Sequence, residues 1–247
     1  MILELDCGNT RVKWRVRDHH KTLMRGMFLT GEGFHPSTTA ELADANIEQV
    51  LVGSVLSDDY ARKLAAWSIS HLGVNPQFAV SEPHCNGVVN GYQQPEKLGV
   101  DRWLAILAAK AKDPSACVIV DCGSAITVDL VTSQGEHLGG YIAPGLRLMR
   151  EALATKTSAI KLGQIGYPEN DFPGRNTVLA IKSAELAMIA GLVEHAKSIL
   201  RNYDSHGAHL LVTGGDGEWL VSMLKEGAYH EDLVMDGLDI ALAEVKT

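Results

Sequence analysis

The chain contains ILELDCGNT at residues 2–10 and VIVDCGSA at residues 118–125, and these two stretches are the most informative about its architecture. Each has an apolar run, then Asp-Cys-Gly, then small residues, and each leads into a second strand-like segment. This pattern predicts a buried strand, a tight turn and another strand. The two aspartates are 121 − 6 = 115 residues apart, close to half of the 247-residue chain. We therefore interpret the chain as two copies of one structural unit.

Each Asp-Cys-Gly turn places a carboxylate at the end of a strand and follows it with a glycine, which lets the backbone turn sharply. Successive backbone N–H groups of such a turn can bind phosphate, and the carboxylate can hold the cation that accompanies a nucleotide. The alternative is an ordinary β-hairpin turn with a polar cap, which either copy alone would favour. Two copies half a chain apart favour phosphate binding.

The rest of the chain alternates strands with helices, which indicates an α/β fold in each half. The predicted strands are residues 49–55, 77–80 and 209–212. The predicted helices are residues 58–72, 146–154 and 177–202, with another that begins near Asp101. Residues 139–145 are interpreted as a glycine-rich turn, and residues 82–97 and 161–176 as loops. We expect two domains, residues 1–115 and 116–247, packed around one cleft, because no linker separates them.

Charge and hydropathy argue against several classes of protein. The formal net charge of −8 disfavours a nucleic-acid-binding protein, which normally presents a basic face. No apolar stretch approaches the ~20 residues that cross a bilayer, and the first residues lack the basic start of a secretion signal. We therefore expect a cytoplasmic protein with no nucleic-acid and no membrane partner.

The cysteines and histidines predict no structural metal site. Cys7, Cys117 and Cys122 lie in or beside strand-like apolar runs, where a free cysteine behaves as a small buried hydrophobe. No two cysteines have the Cys-x-x-Cys spacing of a zinc site. The histidines are interpreted as solvated loop residues, among them His19, His20, His206 and His209.

Several motifs together resemble a known family. Asp-x-Gly-Asn-Thr at residues 6–10, Asp-x-Gly-Ser-Ala at 121–125 and Thr-Gly-Gly at 213–215 are similar to the two phosphate motifs and the adenosine motif of the actin-like ATPase superfamily. Within it, Asn-Gly-Tyr at 90–92, Leu-Gly-Val-Asp-Arg-Trp at 98–103 and Gly-Gly-Tyr-Ile at 139–142 resemble type III pantothenate kinases over nearly the whole chain. The resemblance implies a duplicated ribonuclease H-like α/β fold, with two mixed sheets and flanking helices around a central cleft.

The resemblance implies that the protein phosphorylates pantothenate with ATP, the first step towards coenzyme A. It makes Asp101 the acceptor of the hydroxyl proton, although an aspartate there could merely cap a helix that starts at Arg102. Arg102 would bind the pantothenate carboxylate, although an isolated arginine is more often a surface ion-pair partner. The other implied substrate-binding residues are Tyr92, Gly99, Val100 and Thr177.

For the nucleotide, the resemblance implies ATP with Mg²⁺ and a monovalent cation, K⁺ or NH₄⁺. Asp6 would hold Mg²⁺, and Asp121 would bind the monovalent cation. Ser124 stands where the family usually has threonine, and it keeps the hydroxyl while losing a methyl group. The implied nucleotide-binding residues are Asp6, Gly8, Asn9, Thr10, Lys13, Gly123, Ser124, Gly214 and Gly215. The family also implies a homodimer, with Thr177 acting across the interface.

Three alternatives stay open at this point. The chain could be a kinase for another small metabolite, a regulatory transcription-activating relative that has lost catalysis, or a filament-forming or chaperone-type ATPase. The intact Asp6, Asp101 and Asp121 and the negative charge weigh against the regulatory protein. The length of the chain weighs against the third, which we expect to carry extra subdomains. Neither a Gly-x-x-x-x-Gly-Lys-[Ser/Thr] loop nor a Gly-x-Gly-x-x-Gly turn is present.

Overall fold

The computed structural model describes residues 1–156, 166–169, 172–204 and 207–243. The chain forms two compact units. The first consists of Met1–Gly87, Tyr92–Ala108 and Asp232–Thr247, and the second of Val88–Gly91 and Ala109–Glu231. The division into domains 1–115 and 116–247 stays a prediction, and these units differ from it because the chain from Asp232 onward clusters with the first one.

The first unit contains a five-stranded mixed sheet. Its strands are β1 (Ile2–Cys7), β2 (Arg11–Asp18), β3 (Lys21–Leu29), β4 (Gln49–Ser54) and β5 (Gln77–Phe78). They lie in the order β3-β2-β1-β4-β5. β1 pairs antiparallel with β2 and parallel with β4, so that Asp6 faces Lys13 on one side and Gly53 on the other.

The second unit contains a sheet of the same design. Its strands are β8 (Cys117–Cys122), β9 (Ala125–Val131), β10 (His137–Pro144), β11 (His209–Thr213) and β12 (Ala228–Tyr229), after the two-residue strands β6 (His84–Cys85) and β7 (Val88–Val89). The order is β10-β9-β8-β11-β12, and β8 is again antiparallel to the next strand and parallel to β11. The matching order confirms the predicted duplication with two mixed sheets.

Helices complete both units. They are α1 (Pro36–Asp44), α2 (Asp58–Leu72), α3 (Val100–Lys112), α4 (Leu146–Lys156), α5 (Thr177–Leu200), α6 (Gly217–Leu224), α7 (Leu233–Asp236) and α8 (Leu238–Ala243), with a 3-10 turn at Pro95–Lys97. None of the helices in the described part of the chain combines the length and apolar character that a membrane span requires.

Each sheet buries one face in an apolar core. In β1, alternation places Leu3, Leu5 and Cys7 in the core of the first unit, and Asp6 projects from the other face. In β8, Val118, Val120 and Cys122 take the matching places under α5. Because both central strands are largely buried, each Asp-Cys-Gly turn follows directly from the core of its unit.

Most predicted elements are confirmed, and two predictions are wrong. The predicted loop at residues 82–97 contains β6, β7 and the 3-10 turn at Pro95–Lys97. Residues 139–144 are not a turn but belong to β10, which pairs with β9 after a register shift between His137 and Gly139. Gly139 has a φ of +103°, which supplies the local distortion that a glycine permits. The predicted loop at 161–176 lies partly outside the described residues, and so does His206.

Candidate active site

The first Asp-Cys-Gly turn joins β1 to β2. Gly8 N–H donates to the Arg11 carbonyl at 3.0 Å, and the Thr30 hydroxyl donates to the Gly8 carbonyl at 2.7 Å. Asp6 is half-buried at the penultimate position of β1. Burial raises the pKa of the Cys7 thiol well above its usual range, and the Asp6 carboxylate adds to the rise. Cys7 is therefore a core residue and not a nucleophile.

The second turn joins β8 to β9 and is one residue shorter. Gly123 N–H donates to the Ala125 carbonyl at 3.0 Å, across two residues instead of three. Asp121 pairs with Thr127, six residues further on, whereas the corresponding spacing in the first copy is seven. Asp6 and Asp121 nevertheless hold equivalent places, at the penultimate position of the central strand in each sheet.

The Thr-Gly-Gly motif lies directly against the second turn. Thr213 ends β11 and pairs in parallel with Asp121. Gly214 follows with a φ of +88°, and a Cβ added there would lie 2.3 Å from Asp121 Oδ1 and 2.6 Å from the Cys122 carbonyl oxygen. Asp216 N–H donates to that same carbonyl at 3.0 Å. The carboxyl ends of the parallel strands β8 and β11 thus meet at a spot where only glycine fits, and such ends are where α/β sheets bind ligands.

Each unit gathers its own share of the predicted nucleotide residues. The first unit holds Asp6, Gly8, Asn9, Thr10 and Lys13 on the β1–β2 hairpin. The second holds Asp121, Gly123, Ser124, Gly214 and Gly215 at the ends of β8 and β11. Asn9, Ser124 and Gly215 are exposed. Their roles towards a nucleotide stay predictions.

The start of α3 gathers the predicted substrate residues of the first unit. Arg102 is buried, its Nη1 donates to the Tyr92 hydroxyl at 2.6 Å, and its guanidinium carbon lies 5.4 Å from the centroid of the Tyr92 ring. Arg102 is therefore not the surface side chain considered from the sequence, because its guanidinium is buried against an aromatic ring. A buried arginine with a fixed planar head suits a carboxylate ligand.

Asp101 is half-buried beside Arg102, in the first turn of α3. Its Oδ1 accepts a hydrogen bond from Arg102 N–H at 2.8 Å. A Cβ added to Gly99 would lie 2.6 Å from Asp101 Oδ1, so residue 99 must be small for the carboxylate to keep this position. Val100 is buried as the first residue of the helix, which therefore starts earlier than Arg102.

Thr177 belongs to the second unit, unlike the residues around Asp101. It is the exposed first residue of α5. The side chain of Asn176 caps this helix by accepting from Leu179 N–H at 2.9 Å. The structure thus explains why the helix begins here, and it leaves the proposed substrate contact of Thr177 a prediction.

The residues present fit a nucleotide that brings its own metal. Within the described ranges, no three histidine, cysteine, aspartate or glutamate side chains form a cluster that could hold a metal by themselves. Mg²⁺ in kinases is commonly held by one or two carboxylates together with substrate phosphates and water, and the aspartate at each turn can supply a carboxylate. Because Gly214 has no side chain, the space next to the Asp121 carboxylate stays free of protein atoms that a Cβ would add.

Sequence reasoning missed a buried histidine. His137 is not a solvated loop residue but lies in β10, with 3% of its surface exposed, and its Nε2 is 2.9 Å from Asp129 Oδ1. Asp129 is 2% exposed inside β9. A charged residue within the apolar segment that follows the second turn was the one signal available, since burial of a charge requires a partner.

It also missed a buried charge cluster in the first unit. Glu4 is fully buried and accepts from Arg15 Nε at 2.5 Å and from Arg17 Nε at 2.8 Å. Arg15 also pairs with Asp236 at 2.8 Å, which ties β2 to α7.

Two solved structures of known proteins resemble this fold over nearly the whole chain. A protein from Campylobacter jejuni named as a Baf family transcriptional activator matches with a TM-score of 0.63 at 19% identity, covering 99% of this chain and 98% of that one. A protein from Sinorhizobium meliloti named as a 2-dehydro-3-deoxygalactonokinase matches with a TM-score of 0.57 at 11% identity, covering 99% of both chains. The fold is that of the actin-like ATPases and sugar kinases.

The sequence comparison is more specific. The family model described as type III pantothenate kinase matches residues 2–198. A type III pantothenate kinase from Cellvibrio japonicus is 38% identical over 243 residues, covering 97% of this chain and 96% of the relative. This chain belongs to the type III pantothenate kinase family. Membership makes it a kinase that uses ATP with a divalent metal and acts on a small molecule.

Proposed function

We propose that this protein transfers the γ-phosphoryl group of ATP to the primary hydroxyl of pantothenate, giving 4′-phosphopantothenate for coenzyme A synthesis. The observation that carries the proposal is the group at the start of α3, where buried Arg102 is fixed against Tyr92 beside the Asp101 carboxylate. This group offers a base for a hydroxyl and a cation for a carboxylate, and pantothenate carries both a primary hydroxyl and a carboxylate.

Asp101 orients the attacking hydroxyl and takes its proton late in the transfer. A carboxylate is a weak base towards an alcohol, so its main work is to align the nucleophile with the phosphorus atom. The start of a helix is a rigid place to mount such a group. The main-chain hydrogen bond from Arg102 and the absence of a side chain at Gly99 keep Oδ1 in place.

Arg102 binds the pantothenate carboxylate, and Tyr92, Gly99, Val100 and Thr177 line the remainder of the pocket. The Tyr92 hydroxyl accepts from one arm of the guanidinium, which orients the planar head for a two-pronged contact. Thr177 acts from the partner subunit of a homodimer. Exposed apolar side chains support this pairing, namely Phe172, Val178, Leu179 and Met188 in and just before α5.

The two turns bind the nucleotide. Gly8, Asn9, Thr10 and Lys13 approach the phosphates, and Gly123, Ser124, Gly214 and Gly215 complete the nucleotide site. Asp6 holds Mg²⁺ and Asp121 a monovalent cation, K⁺ or NH₄⁺; when bound, these ions neutralise charge on the phosphate oxygens. Such ions let a chain with a net charge of −8 accept an acidic nucleotide.

The proposed location is the cytoplasm. All four cysteines are free and buried, which agrees with a reducing compartment. The net charge of −8 supports a protein with no nucleic-acid partner.

The Arg102→Lys variant tests the substrate side of the proposal. Lysine keeps the positive charge but cannot make the two-pronged contact or reach Tyr92 in the same geometry. We expect KM for pantothenate to rise roughly 10–100-fold, the equivalent of one charged hydrogen bond, while KM for ATP stays near that of the wild type. Steady-state kinetics with each substrate varied in turn checks this. An equal rise in both KM values would mean that Arg102 holds the fold and not the substrate.

The Gly214→Ala variant tests the nucleotide side. The added Cβ would lie 2.3 Å from Asp121 Oδ1, at a φ of +88°, so the carboxylate or the backbone must move. We expect the free energy of unfolding to fall by at least about 1–2 kcal/mol, and KM for ATP to rise because Asp121 is displaced. The control is Gly191→Ala in α5, where an added Cβ meets nothing within 4 Å. Equal behaviour of the two variants in thermal unfolding and ATP kinetics would contradict the role of Gly214.

A further inference from the structure

His137 and Asp129 form a buried polar pair. Neither residue is among those proposed to contact pantothenate or the nucleotide. His137 Nε2 lies 2.9 Å from Asp129 Oδ1, and both residues are almost completely buried in the second unit. A carboxylate oxygen can only accept, so this 2.9 Å contact puts the proton of the imidazole on Nε2. This leaves the other ring nitrogen, Nδ1, as a hydrogen-bond acceptor.

That acceptor is used by a backbone group. Gly91 N–H donates to His137 Nδ1 at 3.4 Å. Asp129 therefore favours the tautomer that can accept a hydrogen bond from the Gly91 N–H. The three groups form one chain of hydrogen bonds. A side chain without an acceptor at this place loses the last bond of the chain.

The segment around Gly91 is also attached to this part of the second unit by its backbone. Val89 N–H donates to the Gly135 carbonyl at 2.9 Å, and Val89 forms a parallel bridge with Glu136. A Cβ added to Gly91 would lie 1.8 Å from the His137 carbonyl oxygen, so the two backbones are in close contact. The residues from Val88 to Gly91 are therefore a strap held at both ends.

We propose that His137 and Asp129 are positioning residues for pantothenate, acting through Gly91. Gly91 is followed directly by Tyr92, whose hydroxyl accepts from Arg102, and the boundary between the two compact units falls between them. Fixing the Gly91 amide fixes where Tyr92 starts, and Tyr92 in turn orients Arg102 for the substrate carboxylate. The inference rests on the proposed function, since it gives Tyr92 and Arg102 their substrate.

The His137→Gln variant tests the pair. Glutamine can still donate to Asp129 through its amide, so the buried carboxylate keeps this hydrogen bond. It has no acceptor where Nδ1 was. We expect KM for pantothenate to rise roughly 10-fold, with kcat and KM for ATP close to the wild type, as for one lost buried hydrogen bond. The control is His71→Gln, the same change at an exposed histidine at the end of α2.

Hydrogen exchange of the Gly91 amide gives a second readout that does not depend on activity. The amide should exchange at least several-fold faster in His137→Gln than in the wild type, and unchanged protection would overturn the anchoring role. Faster exchange with an unchanged KM for pantothenate would overturn the link to the substrate. A wild-type protein that does not phosphorylate pantothenate overturns the proposed function itself, and with it the substrate role of the pair, whatever the exchange shows. A purely structural role would lower thermal stability and leave the ratio of the two KM values unchanged.

Discussion

The Asp101→Asn variant should lose ~10²–10⁴-fold in kcat, the usual cost of removing a general base. Asparagine has nearly the same shape and retains the oxygen that accepts the Arg102 N–H, so the fold should survive. What is lost is the negative charge that orients the attacking hydroxyl and takes its proton. KM for ATP should hardly change, because Asp101 is not among the nucleotide residues. Steady-state kinetics together with nucleotide binding by calorimetry would measure both effects.

The competing explanation is that Asp101 only stabilises the start of α3. Asp58→Asn is a matched control, since Asp58 also lies in the first turn of a helix, α2, and is exposed there. Asp58→Asn should lower the free energy of unfolding by no more than ~0.3–1 kcal/mol, the contribution of a charge near a helix end. It should leave kcat unchanged. Near-normal kcat in Asp101→Asn would remove Asp101 from the mechanism.

The Glu4→Gln variant should destabilise the protein by about 3–5 kcal/mol, because it removes the charged partner of two buried arginines. Glu4 is fully buried and bonded to Arg15 and Arg17. Burial raises the pKa of the Glu4 carboxyl, and the hydrogen bonds from the two arginines oppose that rise. Glu4 is two residues from Asp6 on the same strand face, so the cluster also holds in place the end of β1 that leads into the first turn. Urea unfolding followed by circular dichroism measures the loss.

The Asp59→Asn variant is the control for this stability effect. Asp59 is exposed and pairs with Lys63 at 2.7 Å on the surface of α2. Exposed pairs of this kind contribute little because water and salt screen them, so the expected loss is several-fold smaller than for Glu4→Gln. Losses of similar size in the two variants would show that the buried cluster adds nothing beyond surface charge pairing.

The parts of the fold that were predicted correctly rest on local signals. The helix predicted at 58–72 is found at Asp58–Leu72, because Ser57 caps its start and Gly73, with a φ of +70°, ends it. Both Asp-Cys-Gly turns are found where an apolar run meets a glycine. In each case the residues that determine the structure are neighbours in the chain.

The errors and omissions come from contacts between distant residues. Glycines usually mark turns, but pairing with β9 holds Gly139 and Gly140 in a strand. Arg15 meets Asp236 across 221 residues of sequence, and Gly91 meets His137 across 46. No periodicity encodes such pairs, and so neither the charge cluster nor the strap was predicted.

The sequence names candidate site residues, whose roles stay predictions, but it does not give their geometry. The Leu-Gly-Val-Asp-Arg-Trp motif identified Asp101 and Arg102, yet only the structure shows Arg102 buried against Tyr92. The same holds for Gly214, whose contact with Asp121 depends on β11 lying beside β8. Burial and strand order decide these contacts, and both are properties of the folded chain.

Phosphorylation of pantothenate by ATP is the activity that the proposed function requires of this chain. The direct test incubates the purified protein with ATP, Mg²⁺ and pantothenate, with K⁺ or Na⁺ as the monovalent cation, and measures 4′-phosphopantothenate by mass spectrometry. We expect product that depends on ATP, forms faster with K⁺ and falls to near background in Asp101→Asn. Absence of 4′-phosphopantothenate with either cation, from protein that is folded and binds ATP, would rule out the proposed function.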